Sequence, residues 1–195
     1  MDERFTDYLR RQADGIMQAQ HSHPFVRGIG SGTLDLARFK VWVRQDYLYL
    51  IEFARLFSLA SARAPGLASI THYAGLAEFT LKTEIELHRS YAREFGILEV
   101  ELERERKAPT CQAYTDFLVR TAYDGSFAEL TSALLPCMWG YCEIGLALAH
   151  ETKYKQMDKG FHSTAVIGRL ACTAACAKLL KLDEHQTIMA LGMAG

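Results

Sequence analysis

Long apolar runs are missing from this chain. No stretch approaches the roughly 20 apolar residues needed to span a bilayer. The N-terminal MDERFTDYLRRQ is charged and amphipathic and lacks the apolar core of a secretory signal. An excess of either charge is missing too. Lys and Arg number 22 against 23 Asp and Glu, a net charge of -1, which argues against a broad electrostatic surface for nucleic acid or anionic membrane. No CxxC pattern occurs among the five cysteines, Cys111, Cys137, Cys142, Cys172 and Cys176. An odd count at wide spacing fits free thiols in a reducing compartment, so the expected location is cytoplasmic. Proline is scarce, with only Pro24, Pro65, Pro109 and Pro136, and no segment shows the strict alternation of a strand.

What is present is helical periodicity in a chain that is 49% hydrophobic, too apolar for a disordered segment. A first helix is expected over about the first twenty residues, breaking near His23-Pro24. Gly28 to Thr33 reads as a flexible turn. It resembles GxGxxG only on the surface, because no strand precedes it. Phe39, Val43, Leu50, Phe53, Phe57 and Ala60 recur at three- and four-residue steps and mark a helix from about Asp35 to Ala64. A third helix is expected from Gly66 to just before Gly96. The charged stretch Glu99 to Lys107 reads as a solvated connection or short helix. Further helices are expected from Cys111 to Asp124 and from Ser126 to about His150, the latter kinked at Pro136. The sum is an all-α bundle.

Cys137 follows the helix-interrupting Pro136, where unpaired backbone groups and a cavity are expected. A thiol there is a competent nucleophile if a base or a donor attends it, although a free cysteine is more commonly inert filler. Tyr141 lies four residues on, over the same helix face. Asp46 falls close to the apolar stripe and shares a face with Tyr49. A carboxylate on the core side requires a partner or a ligand. An aminopyrimidine offers one through its ring nitrogen and exocyclic amine. A surface pairing with Arg38, Lys40, Arg44 or another arginine is the plainer reading of spacing alone. Tyr114, taken by itself, is core or interface. Glu84 and His88 read as a surface pair four apart. With Glu143 and His150 they hint at a carboxylate–histidine metal site, but the Glu-x-x-His spacing of di-iron bundles is absent. His21 and His23 read as exposed.

Several blocks in order carry a resemblance. They are His23-Pro24-Phe25-Val26-x-Gly28-Ile29-Gly30-x-Gly32-Thr33-Leu34, Phe39-Lys40, Gln45-Asp46, Glu86-Leu87-His88-Arg89, Tyr114-Thr115, and Leu134-Leu135-Pro136-Cys137-x-Trp139-x-Tyr141-x-Glu143-x-Gly145. Over residues 1–157 the chain resembles the thiaminase II (TenA) family. The resemblance implies an all-α, haem-oxygenase-like bundle without haem, with no metal and no organic cofactor. It implies hydrolysis of 4-amino-5-aminomethyl-2-methylpyrimidine, or of thiamin, in thiamin salvage or degradation. It implies a homo-oligomer, dimer or tetramer, whose partner is the small aminopyrimidine rather than nucleic acid or membrane. By position, Cys137 becomes the nucleophile and Asp46 the group that holds the aminopyrimidine edge. Tyr49 and Tyr141 line the site with hydroxyls, and Tyr114 hydrogen-bonds or stacks on the ring.

Beyond Tyr154 the family's pattern stops, and the C-terminal glutamate that protonates the leaving group has no match. Glu84, Glu143 and Glu184 are the candidates to replace it. Residues 158–195 read as a separate helical tail. It resembles a fragment of the MmgE/PrpD family, with His162 at an active-site position there, and is expected to pack on the bundle or at a subunit interface. Two other readings stay open. One is a catalytically impaired relative that binds a pyrimidine or acts as a regulatory protein. The other is a di-iron oxygenase of the same superfamily.

Overall fold

A computed structural model describes residues 4–151, with side chains described as far as residue 148. The tail, including His162 and Glu184, and the side chain of His150 lie outside the described residues. Among the described residues there is no strand. The helices are α1 (Phe5–Gln12), α2 (Asp14–Ser22), α3 (Pro24–Ser31), α4 (Leu36–Arg63), α5 (Leu67–Phe79), a π-helical turn (Thr80–Glu84), α6 (Ile85–Glu94), α7 (Glu99–Arg104), α8 (Pro109–Asp124) and α9 (Phe127–Glu151).

The long helix α4 is the axis of the bundle, packed by α5, α6, α8 and α9. Asp35 caps it, its carboxylate accepting from the Ala37 amide at 2.9 Å. The whole stripe read from the sequence is buried, and Tyr47, Ala54 and Leu56 join it. Around it close Leu76, Ile97, Leu102, Leu118, Leu130 and Leu134. Phe57 is fully buried, its ring 4.2 Å from that of Phe53. Phe57→Ala is expected to cost about 3–5 kcal/mol of stability, the range for emptying an aromatic site in a packed core, measured as a shift of the urea midpoint. Arg63, at the end of α4, donates to the carbonyls of Ala122 and Gly125, so it serves the orphan acceptors where α8 stops.

Several expectations need correction. The first helix breaks at Ala13 as well as at His23. The glycine-rich stretch is mostly helix, because His23 caps the Phe25 amide and Pro24 occupies the first helical position. Its turn is confined to Gly32, at φ 66°. The stretch 99–107 contains the expected short helix, α7, and is mostly exposed, but it is also docked on the bundle. Leu102 is fully buried, Glu103 accepts from the Tyr47 hydroxyl, Glu105 pairs with Arg44, and Lys107 pairs with Glu52 at 2.8 Å. The helix expected over 66–95 contains the π turn, where i→i+5 bonds replace the α-helical ones. Glu84 and His88 face inward, in step with Ala77 and Thr80. Helix α9, by contrast, continues through Pro136 as expected, with no N–H there for the carbonyl of Ser132.

Candidate active site

Asp46 and Tyr49 project from α4, with Trp42 one turn before them. Cys137 and Tyr141 project from α9, Tyr114 from α8, and His88 from α6. The structure brings all five residues expected from the sequence into one connected cluster. The Tyr49 hydroxyl donates to Cys137 Sγ at 3.0 Å. The Tyr49 ring stacks on Tyr114, with centroids 6.0 Å apart and planes 10° apart, and packs against Phe53 at 5.3 Å. Asp46 Oδ1 accepts from the Tyr141 hydroxyl at 3.4 Å. Its Oδ2 lies 2.7 Å from His88 Nε2. The Trp42 ring stands 6.0 Å from the imidazole of His88.

Asp46 is therefore not a surface partner of arginine. Arg44 pairs with Glu101 and Glu105 instead, and the Asp46 side chain is 14% exposed. His88 and Glu84 do not form a surface pair either. Both are buried, and the His88 ring meets the Glu84 backbone carbonyl through Nδ1 at 3.1 Å. His88 is the site residue that sequence reasoning missed. Its signal was the Glu86-Leu87-His88-Arg89 block, to which no role was attached.

Burial pushes the Cys137 thiol up to about 12. The Tyr49 donor opposes that rise, and the negative charges of Asp46 and Glu84 add to it. The thiol is neutral at rest. Among the described residues its direct donor is the Tyr49 hydroxyl, which can stabilise a developing thiolate. Tyr114 is likewise raised to about 12, by burial and then by Cys137. Tyr141 is raised well above its usual range by the charge of Asp46, then by burial. Burial raises Tyr49 as well. All three tyrosines thus stay protonated and able to donate. Tyr141 and Tyr114 remain about one-third exposed, at 37% and 36%, so the cluster is open to a ligand from their side.

The carboxylates considered as acids separate clearly. Glu143 points to α1, where Arg10 binds it and also holds Asp14 at 3.0 Å. Glu84 is 4% exposed, and its charge reaches Cys137. The metal arrangement considered from Glu84, His88, Glu143 and His150 does not assemble among the described side chains, because Arg10 takes Glu143 and Asp46 takes His88. No group of three His, Cys, Asp or Glu side chains able to hold a metal ion occurs among the described residues. No helix among them is long and apolar enough to cross a membrane.

The aminopyrimidine aminohydrolase of Halalkalibacterium halodurans is 42% identical over 144 residues, covering 74% of this chain and 64% of that protein. The aminopyrimidine aminohydrolase of Bacillus subtilis is 40% identical over 147 residues, covering 75% and 62%. The chain thus spans a little under two thirds of the length of these curated relatives. Among solved structures, a TenA homologue from P. horikoshii OT3 superposes with a TM-score of 0.75 at 27% identity, covering 96% of this chain and 91% of that one. The fold is accordingly all-α and haem-oxygenase-like. The TENA/THI-4/PQQC family model matches residues 10–185, past the boundary expected at 157, and the chain belongs to the TENA/THI-4/PQQC family.

Proposed function

We propose that the chain is an aminopyrimidine aminohydrolase of the thiaminase II type. It would convert 4-amino-5-aminomethyl-2-methylpyrimidine to the hydroxymethyl pyrimidine in thiamin salvage, through an adduct on Cys137. The observation that carries this reading is the half-buried thiol under the Tyr49 hydroxyl, in one cluster with a carboxylate that has no arginine or lysine partner among the described residues. The names and identities of the two curated relatives support it.

The chemistry is set by the layout. Sulfur attacks a ring carbon and the displaced electron pair moves to a ring nitrogen. The thiol loses one proton and the ring nitrogen gains one, so the adduct forms without net change. A protonated ring nitrogen and the exocyclic amine together present two donors to Asp46, and that pairing strengthens as charge enters the ring. Tyr49 steadies the sulfur. Tyr141 orients Asp46, and Tyr114 offers a face or a hydroxyl to the ring. The ring-nitrogen proton passes to the amine and ammonia leaves, giving an exocyclic methylene. Water adds its OH there and its proton to the ring nitrogen, and sulfur then departs with that proton as the thiol. After Asp46, Glu84 is the carboxylate whose charge reaches Cys137, and it is the candidate to handle a proton there.

The same reading extends to the coarser expectations. The protein is proposed to be cytoplasmic, to form a homo-oligomer, and to bind the aminopyrimidine without a cofactor. Residues 1–157 are proposed as the catalytic bundle. On sequence alone, residues 158–195 are proposed as a helical tail resembling an MmgE/PrpD fragment, packed on the bundle or at a subunit interface. The family match overlaps this tail as far as residue 185.

Steady-state release of the hydroxymethyl pyrimidine from the aminomethyl pyrimidine, monitored by chromatography, tests the proposal. Turnover is expected. Absence of product from folded protein would overturn the hydrolase reading. A melting temperature still raised by the pyrimidine would then identify a binding protein.

A further inference from the structure

Asp46 is held from behind by a histidine whose ring nitrogens both face acceptors. His88 Nδ1 lies 3.1 Å from the Glu84 carbonyl, and Nε2 lies 2.7 Å from Asp46 Oδ2. A carbonyl oxygen only accepts, so Nδ1 carries a hydrogen. An ionised carboxylate only accepts, so Nε2 carries the second. The residue is 8% exposed. Trp42 from α4 and the edge of Tyr91 from α6, at 6.0 and 6.3 Å, wall it off, which leaves little room for water to replace either bond.

We infer that His88 is a positioning residue, standing as an imidazolium, that fixes the charge and orientation of the Asp46 carboxylate for an aminopyrimidine edge. The inference rests on the aminopyrimidine reading of the site. His88 orients Oδ2 and Tyr141 orients Oδ1, while each oxygen keeps acceptor capacity for the ligand. If His88 lost its Nε2 proton, Nδ1–H would stay on the Glu84 carbonyl and a lone pair would face Oδ2. Attraction would become repulsion. Asp46 would then turn away or take up a proton, and either outcome spoils the acceptor edge.

Burial alone would lower the His88 pKa. The hydrogen bond and charge of Asp46, helped by the carbonyl and charge of Glu84, outweigh it and hold the pKa above its ordinary 6.5. The acceptor edge is therefore intact below that raised value and lost as pH climbs through it. The groups facing this pair are Asp46 and Trp42 from α4, Glu84 from the π turn, Tyr91 from α6, and Tyr141 and Cys137 from α9. Tyr141 and Cys137 are pushed upward themselves and keep their protons over the same range.

Two measurements on the full chain decide the matter. In Cys137→Ala, expected to bind without turnover, calorimetry with 4-amino-5-aminomethyl-2-methylpyrimidine should show Kd rising about 10- to 100-fold from neutral to alkaline pH, the size of a lost charged hydrogen bond. Adding His88→Gln keeps an N–H donor for Asp46 at every pH and should flatten that rise. Adding His88→Ala should weaken binding throughout. The ligand's own titration is common to all three proteins and drops out of the comparison. In wild-type protein, nitrogen-15 spectra of the imidazole are expected to show both ring nitrogens protonated at pH 7. A neutral ring at pH 7, or a His88→Gln curve that tracks its parent, would overturn the inference. If no aminopyrimidine binds at any pH, the functional reading fails, while the spectra still decide the charge of His88.

Discussion

Replacing Cys137 with alanine is expected to lower kcat by about 10³-fold or more, the scale seen when a covalent nucleophile is removed. The fold should survive. Cys137 is a half-buried residue in a long helix, alanine is the best helix former, and only the sulfur and its bond to Tyr49 are lost. Serine is the sharper comparison. It restores a group that the Tyr49 hydroxyl can reach, but a hydroxyl is a far weaker nucleophile than a thiol. If the cluster merely binds a pyrimidine, Cys137→Ala and Cys137→Ser should behave alike and leave affinity near wild type. If Cys137 attacks the ring, both lose turnover while ligand-induced stabilisation persists. The measurement is kcat beside a melting curve with and without the aminomethyl pyrimidine. An alanine variant that turns over at the wild-type rate would remove Cys137 from the mechanism.

Much of this arrangement was legible in the order of the residues. The stripe from Phe39 to Ala60 specified α4 to within a residue at each end, because its face is buried along almost its full length. The two residues of α9 and the two of α4 sat at three- and four-residue spacings, which place side chains on a common face. The order of the family blocks then said that the two faces meet. What stayed hidden has two physical sources. Glu84 and His88 continue the buried steps of Ala77 and Thr80, but a carboxylate and an imidazole carry no apolar signal and read as surface residues. Tertiary partners are also invisible to local spacing. His88 finds Asp46 at a separation of 42 residues, Glu103 finds Tyr47 at 56, and Arg10 finds Glu143 at 133. The same blindness hid the docking of 99–107, since its charges alone do not reveal that Arg44, Arg89 and Glu52 wait on neighbouring helices.

Asp46→Asn is expected to lower kcat/KM for the aminomethyl pyrimidine by about 10²- to 10³-fold, as for removal of one preorganised charged contact in a buried site. The substitution keeps the shape of the side chain but replaces an acceptor oxygen with an N–H donor and removes the charge. The exocyclic amine of the substrate then meets a donor, and the ring nitrogen loses the carboxylate that favours its proton. Because that pairing grows as sulfur adds to the ring, the loss should fall on kcat as well as on KM. His88 provides an independent check. With the charge of Asp46 gone, burial is opposed only by Glu84, so the histidine pKa should fall from its raised wild-type position. The effect on stability has a definite sign. A histidine raised in the folded protein contributes stability that is fully present below the unfolded value of 6.5 and is lost as pH rises through the folded value. The stability gap between wild type and Asp46→Asn should therefore be wide just below 6.5 and should narrow toward alkaline pH, read from urea midpoints across that range. A variant with unchanged kcat/KM, or a gap that widens as pH rises, would detach Asp46 from its role as the acceptor edge of the site.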